Sequence, residues 1–304
     1  MIDPTTCHRG IFEIDGPLPG YAFPTTVSYR PVSERLWTAS DGIYRSVFLE
    51  GDEGVIAFDT FWSPAAAASY RTAIDRVLPR RDVHTVVYSH DHLDHTGFAY
   101  DLAPEASTVL AHEDAAQVIA ARGSDGQRPA TETWSGERRA FAIDGAEFEL
   151  INPGATHGSG NVAAWFPDAG ALFMVDTVIP GVGYTFVPDW HLDSYLTNMR
   201  RLEALEWDTF IPGHFWPVDR TGFSENLAFY ERISEAARQA LTEGVDPDDY
   251  GAVDAWSRER LGEELGRMFR FEEYIGMNVM RFMVHHLTGG WGLEDAGGAR
   301  RGPL

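Results

Sequence analysis

The sequence predicts an α/β chain in which two sheets are covered by helices, and three observations carry that reading. Short apolar runs rich in β-branched residues alternate with longer stretches of helical periodicity. The strand-like runs fall in two groups, one before residue 112 and one between residues 139 and 176. With 304 residues, 44% hydrophobic and 12% aromatic, the chain can bury a large core.

Each element follows from a local signal. "YRSVFLE" (44–50) and "GVIAFDT" (54–60), joined by Gly51, Asp52 and Glu53, read as a hairpin. Ser63 followed by Pro64 starts a helix that runs to Leu78, where Pro79 stops it. "VHTVVYS" (83–89) is a buried strand that leads into "HDHLDH" (90–95), so this histidine-rich stretch lies on a loop at a strand end. "STVLA" (107–111) is the next strand and "HEDAAQVIAAR" (112–122) the next helix, before a polar loop over 123–137. Strands follow at 139–143, 147–151, 161–167 and 171–176, then helices over 193–206, 223–242 and much of 255–287. The expected organisation is an N-terminal extension (1–30), a catalytic domain (31–244) and a C-terminal helical extension (245–304). The apolar face of that extension would cover its own domain or a second copy of the chain in a homodimer.

Charge and cysteine usage exclude several classes. A formal charge of −22, with arginine as every basic residue, disfavours nucleic acid and anionic membranes as partners. A small molecule is the expected substrate. Cys7 is the single cysteine, so a metal has to be held by histidine and carboxylate. No signal peptide or long apolar span is visible, and a cytoplasmic location is the expectation.

His90, His92, Asp94 and His95 place three imidazoles and a carboxylate within one turn, a donor set suited to Zn²⁺ or a similar ion. Each of His157, Asp176 and His214 closely follows a strand, where open sheets place sites. With Asp59 at the end of an earlier strand, the set resembles the metallo-β-lactamase-fold hydrolase superfamily, all five motifs appearing in order between residues 59 and 214.

The resemblance implies an αββα four-layer sandwich and two divalent ions per chain; the C-terminal helical additions lie outside it. Zinc is the expected metal, with Mn²⁺, Fe²⁺ and Co²⁺ as alternatives. It assigns His90, His92 and His157 to one ion, Asp94, His95 and His214 to the other, Asp176 as the bridge, and Asp59 as an outer carboxylate that orients a ligand. A water bridging ions about 3.5–4 Å apart would be the nucleophile, and Asp94 could also pass a proton to the leaving group.

A bridging Asp176 is typical of members similar to glyoxalase II and the acyl-homoserine lactonases, so ester or lactone hydrolysis is the expected activity. Thioester hydrolysis, β-lactam hydrolysis and a mononuclear iron dioxygenase of the persulfide type are the alternatives, with a non-catalytic scaffold behind them. In the lactonases a tyrosine shortly after the bridging aspartate holds the substrate carbonyl, and Tyr184 is the nearest counterpart. Phe61, Trp62, Tyr184, Phe186, Trp190, Phe215 and Trp216 flank ligand positions and would form an apolar mouth for a hydrophobic substrate.

Overall fold

The computed structural model describes residues 25–181 and 190–288. The first half of the chain contains β1 (Ser28–Pro31), β2 (Leu36–Ser40), β3 (Arg45–Glu50), β4 (Val55–Phe58), α1 (Pro64–Val77) and β5 (Val83–Val87). Two single-turn helices follow, α2 (Leu93–Thr96) and α3 (Ala99–Leu102), then β6 (Thr108–His112), α4 (Glu113–Arg122) and β7 (Glu132–Trp134). The next strands are β8 (Arg138–Ile143), β9 (Ala146–Ile151), β10 (Ala163–Phe166) and β11 (Ala171–Met174). Beyond them come α5 (Leu192–Glu203), β12 (Thr209–Pro212), β13 (Val218–Asp219), α6 (Arg220–Thr242), α7 (Tyr250–Leu265) and α8 (Phe271–Thr288).

The described strands form two mixed sheets, in the orders β1-β2-β3-β4-β5-β6-β7 and β13-β12-β11-β10-β9-β8. With their flanking helices they make the αββα sandwich. Strands β1 to β4 are antiparallel neighbours, whereas β4 to β7 run parallel. The polar loop expected over 123–137 contains β7, a three-residue strand too short to leave a periodic trace.

The chain divides into two compact units. The first comprises 1–152, 158–175 and 211–216, and the second 153–157, 176–210 and 217–304. Alternation builds the first unit's core. Val55 and Ala57 of β4 face a cluster closed by Ala66, Tyr70 and Ile74 of α1, while Ile56 and Phe58 face one shared with Phe148, Phe166 and Phe173. Burying each such aliphatic or aromatic side chain stabilises the fold by about 1.5–3 kcal/mol. Helix α1 starts as its sequence specifies, with the Ser63 hydroxyl accepting the Ala66 N–H at 3.1 Å.

In the second unit, Phe271, Ile275, Val279, Phe282 and Met283 recur at helical spacing along the buried stripe of α8. Gly276 lets α7 approach: a Cβ there would lie 2.7 Å from the Asp254 Cα. Trp190, Tyr195 and Tyr230 stack into an aromatic core, with centroids 4.3 Å apart for Trp190–Tyr195 and 4.7 Å for Trp190–Tyr230.

Candidate metal centre

In the first unit, parallel pairing of β4, β5 and β6 sends consecutive strands toward the same edge, so Asp59 and the 89–96 segment emerge side by side. Asp59 leaves β4 with φ +51° and is buried. Its Oδ1 accepts the Ser89 N–H at 2.8 Å, and its Oδ2 lies 3.7 Å from His95 Nδ1. Ser89 Oγ in turn sits 2.9 Å from His90 Nδ1. His92 caps α2, its carbonyl accepting from the Thr96 N–H and hydroxyl at 3.0 and 2.8 Å. The short helix lifts Asp94 and His95 onto the next turn, where the sequence predicts a loop.

The imidazoles gather. His90 and His92 have ring centroids 4.5 Å apart, His90 and His95 5.4 Å, and His95 and His214 5.2 Å. The ligand nitrogens of His90 and His92 lie within 4.8 Å of each other, as do those of His95 and His214. Asp94 Oδ2 is 3.9 Å from His95 Nε2. Gly158, at φ +55°, leaves room for the first pair, since a Cβ there would lie 2.7 Å from His90 Cδ2 and 3.3 Å from His92 Nε2.

In the second unit, Asp176 turns away from β11 with φ +59°, and its Oδ2 lies 3.2 Å from His157 Nε2. Helix α5 pins the segment before His157: Asn198 and Ser194 donate to the Ala155 carbonyl at 2.9 and 2.7 Å, and Arg201 donates to the Pro153 carbonyl at 2.7 Å. The stretch after Asp176 is pinned as well, Tyr195 donating to the Thr177 carbonyl at 2.5 Å and Asn226 of α6 to the Ile179 carbonyl at 2.9 Å.

Buried imidazoles and carboxylates whose donor atoms converge to such distances fit divalent metal ions, which need neutral histidine and ionised carboxylate. The described residues thus hold His/Asp groups able to bind metal.

Asp91, which stands between two of these histidines, anchors the segment. It is 4% exposed, and its carboxylate accepts the Arg122 guanidinium at 2.5 Å and the Ser159 N–H at 2.7 Å. Its carbonyl accepts from Arg122 and Gln127 at 2.6 and 3.0 Å. No motif marks Tyr44, whose hydroxyl donates to Asp94 Oδ2 at 3.1 Å. The one trace in the sequence is Asp41-Gly42, a turn signature. Burial raises the Asp41 pKa, opposed by the N–H groups of Ile43 and Tyr44 and the Trp62 indole that its carboxylate accepts.

Among the flanking aromatics, Phe61, Trp62, Trp190 and Phe215 are buried, Phe61 against Tyr70 at 5.0 Å, while Trp216 is 45% exposed. Tyr184 and Phe186 lie outside the described residues. No helix of the described residues is long and apolar enough to cross a membrane.

The fold and its histidine-aspartate groups agree with comparison to known proteins: the chain belongs to the metallo-beta-lactamase superfamily, whose family model matches residues 40–214. Among curated relatives it is 52% identical, over 95% of this chain and 88% of the relative, to 2,4-dinitroanisole O-demethylase subunit alpha of Nocardioides sp. (strain JS1661). It is 29% identical, over 87% of this chain and 83% of the relative, to subunit beta from the same strain. Among solved structures, a stereoselective inverting sec-alkylsulfatase from Pseudomonas sp. aligns with a TM-score of 0.71 at 17% identity, over 91% of this chain and 52% of that one. A metallo-beta-lactamase from Pontibacter korlensis aligns at 0.59 and 21% identity, over 67% and 98%. The structural likenesses concern the fold.

Proposed function

We propose that this chain is a metal-dependent hydrolase that removes the methyl group of an electron-poor aryl methyl ether by adding water at the ring carbon bearing oxygen. The observation that carries this reading is the 52% identity, over 95% of the chain, with an O-demethylase subunit alpha. In the proposed centre, His90, His92 and His157 hold one divalent ion and Asp94, His95 and His214 a second, with Asp176 shared; zinc is the proposed metal. When bound, such ions supply Lewis acidity and make water nucleophilic near neutral pH.

The chain's own residues supply position and proton handling. Asp91 and Asp59 brace the loop that carries His90 to His95. Asp94, its side chain 22% exposed, is the group that passes a proton to the departing methoxy oxygen. The balance is that of hydrolysis: a carbon–oxygen bond forms from water, the bond from ring to methoxy oxygen breaks, and methanol and a phenol leave without any oxidant. An activated arene and an ester carbonyl pose one problem, addition at an sp² carbon carrying an oxygen leaving group. Ester or lactone hydrolysis is accordingly the second reading, favoured by Asp176 at the end of β11.

The two relatives are named as subunits of one enzyme, which supports assembly of this chain with a homologous partner subunit. The test is turnover of 2,4-dinitroanisole in ¹⁸O-water by the metal-replete chain, alone and with a homologous second subunit. Equimolar methanol and ¹⁸O-labelled dinitrophenol are expected. Formaldehyde as the one-carbon product, or lactone turnover with no ether turnover, would overturn the choice.

A further inference from the structure

The turn entering β3 lies outside the family's ligand motifs, yet it is locked onto the His214 segment. Arg45 N–H donates to the Gly213 carbonyl at 2.7 Å and Phe215 N–H to the Ile43 carbonyl at 2.9 Å, which sets Tyr44 opposite His214 in antiparallel register. The Arg45 guanidinium forks onto the Phe215 carbonyl at 3.0 and 2.6 Å, and burial lowers its pKa to about 10. From the other side, the buried Asp41 carboxylate accepts the Ile43 and Tyr44 N–H groups and the Trp62 indole at 2.8–2.9 Å. The turn is thus held by hydrogen bonds within the protein, and its product is the placement of one side chain.

That side chain is 7% exposed, its ring 4.6 Å from the His214 ring and 5.3 Å from the His95 ring. Its hydroxyl hydrogen goes to Asp94 Oδ2. A carboxylate on a one-turn helix rotates about its side-chain torsions, and a directed donor selects one orientation. We infer that Tyr44 is a positioning residue for Asp94, fixing that carboxylate beside His95 so that the second ion is held by a preset donor group. This rests on the two-ion centre proposed above.

The test removes only the hydroxyl. In Tyr44→Phe, affinity for the second Zn²⁺, measured by chelator competition with total metal analysis, should fall about tenfold, within the range for outer partners of metal ligands. Affinity for the first Zn²⁺ and the melting temperature of the metal-free protein should stay unchanged. If Tyr44 acts through Asp94, Tyr44→Phe should cost less than about twofold when added to Asp94→Asn. Unchanged second-ion affinity, an equal loss in both backgrounds, a loss shared by the first ion, or a lower metal-free melting temperature would each overturn the inference. Wild-type protein that takes up no second ion would instead overturn the two-ion reading and this inference with it.

Discussion

Two regions that carry the proposed metal ligands are built in opposite ways. The 89–96 segment of the first unit is braced largely by carboxylate hydrogen bonds, with Asp59 on Ser89 and Asp91 between Arg122 and Ser159. The 153–157 and 176–179 segments of the second unit are held by helix side chains that reach their carbonyls, from Ser194, Tyr195, Asn198, Arg201 and Asn226. Charge placement governs the first, and the position of α5 and α6 governs the second. The contrast teaches that ligands of one kind can depend on very different supports, so damage should spread differently from each.

The largest effect belongs to the ligands. His90→Ala, or exhaustive chelation of the wild type, should reduce turnover by more than the roughly 10- to 100-fold typical of outer partners, and added Zn²⁺ should restore only the wild type. Next comes the charged brace: Asp91→Asn should destabilise the protein by about 2–3 kcal/mol, because Arg122 loses a carboxylate that is itself buried. Thermal denaturation reads that loss, and an unchanged midpoint would erase the proposed contrast.

Asn198→Ala should cost about 1 kcal/mol through the lost hydrogen bond to the Ala155 carbonyl. It should speed hydrogen exchange over 153–157 and leave 89–96 unaffected. The smallest effect is a pH response at the end of α8. Burial lowers the His286 pKa, Arg238 and His285 lower it further, and the Ser234 carbonyl and Asp193 oppose them. The unfolded chain therefore takes up a proton first as pH falls below about 6.5, and stability present above that value is lost toward the lower folded value. Protection factors in the last turn of α8, with exchange corrected for its base-catalysed intrinsic rate, should be lower at about pH 5.5 than at about pH 7.5 in wild type, and this difference should shrink in His286→Leu, where His285 alone still titrates.

What the sequence revealed depended on how local each signal is. The hairpin of β3 and β4, the Ser63-Pro64 start of α1, the strand β5 and the ligand motifs all declare themselves within a few residues. The sheet edge does not: β1 is exposed along all four residues and ends in Pro31, so no alternation marks it. Tyr44 lies 50 positions from Asp94, and Arg122 lies 31 from Asp91, so neither partnership leaves a periodic or motif-like trace. The sequence spans 255–287 as largely helical, and the break into α7 and α8 comes at a tight 266–270 connection in which Arg270 takes φ +64°.

The interleaving of the two units has a consequence for biogenesis. The first unit is closed by residues 211–216, which include His214 and leave the ribosome only after the whole of the second unit's 176–210 stretch. Its final strand-end contacts, those of Ile43 and Arg45 with 213–215, are therefore among its most sequence-distant pairings. Such closures pay the loop entropy first and form late, so folding should be slow compared with a helical bundle of similar size. A nascent chain brings His214 against Tyr44 and His95 only when this last segment docks.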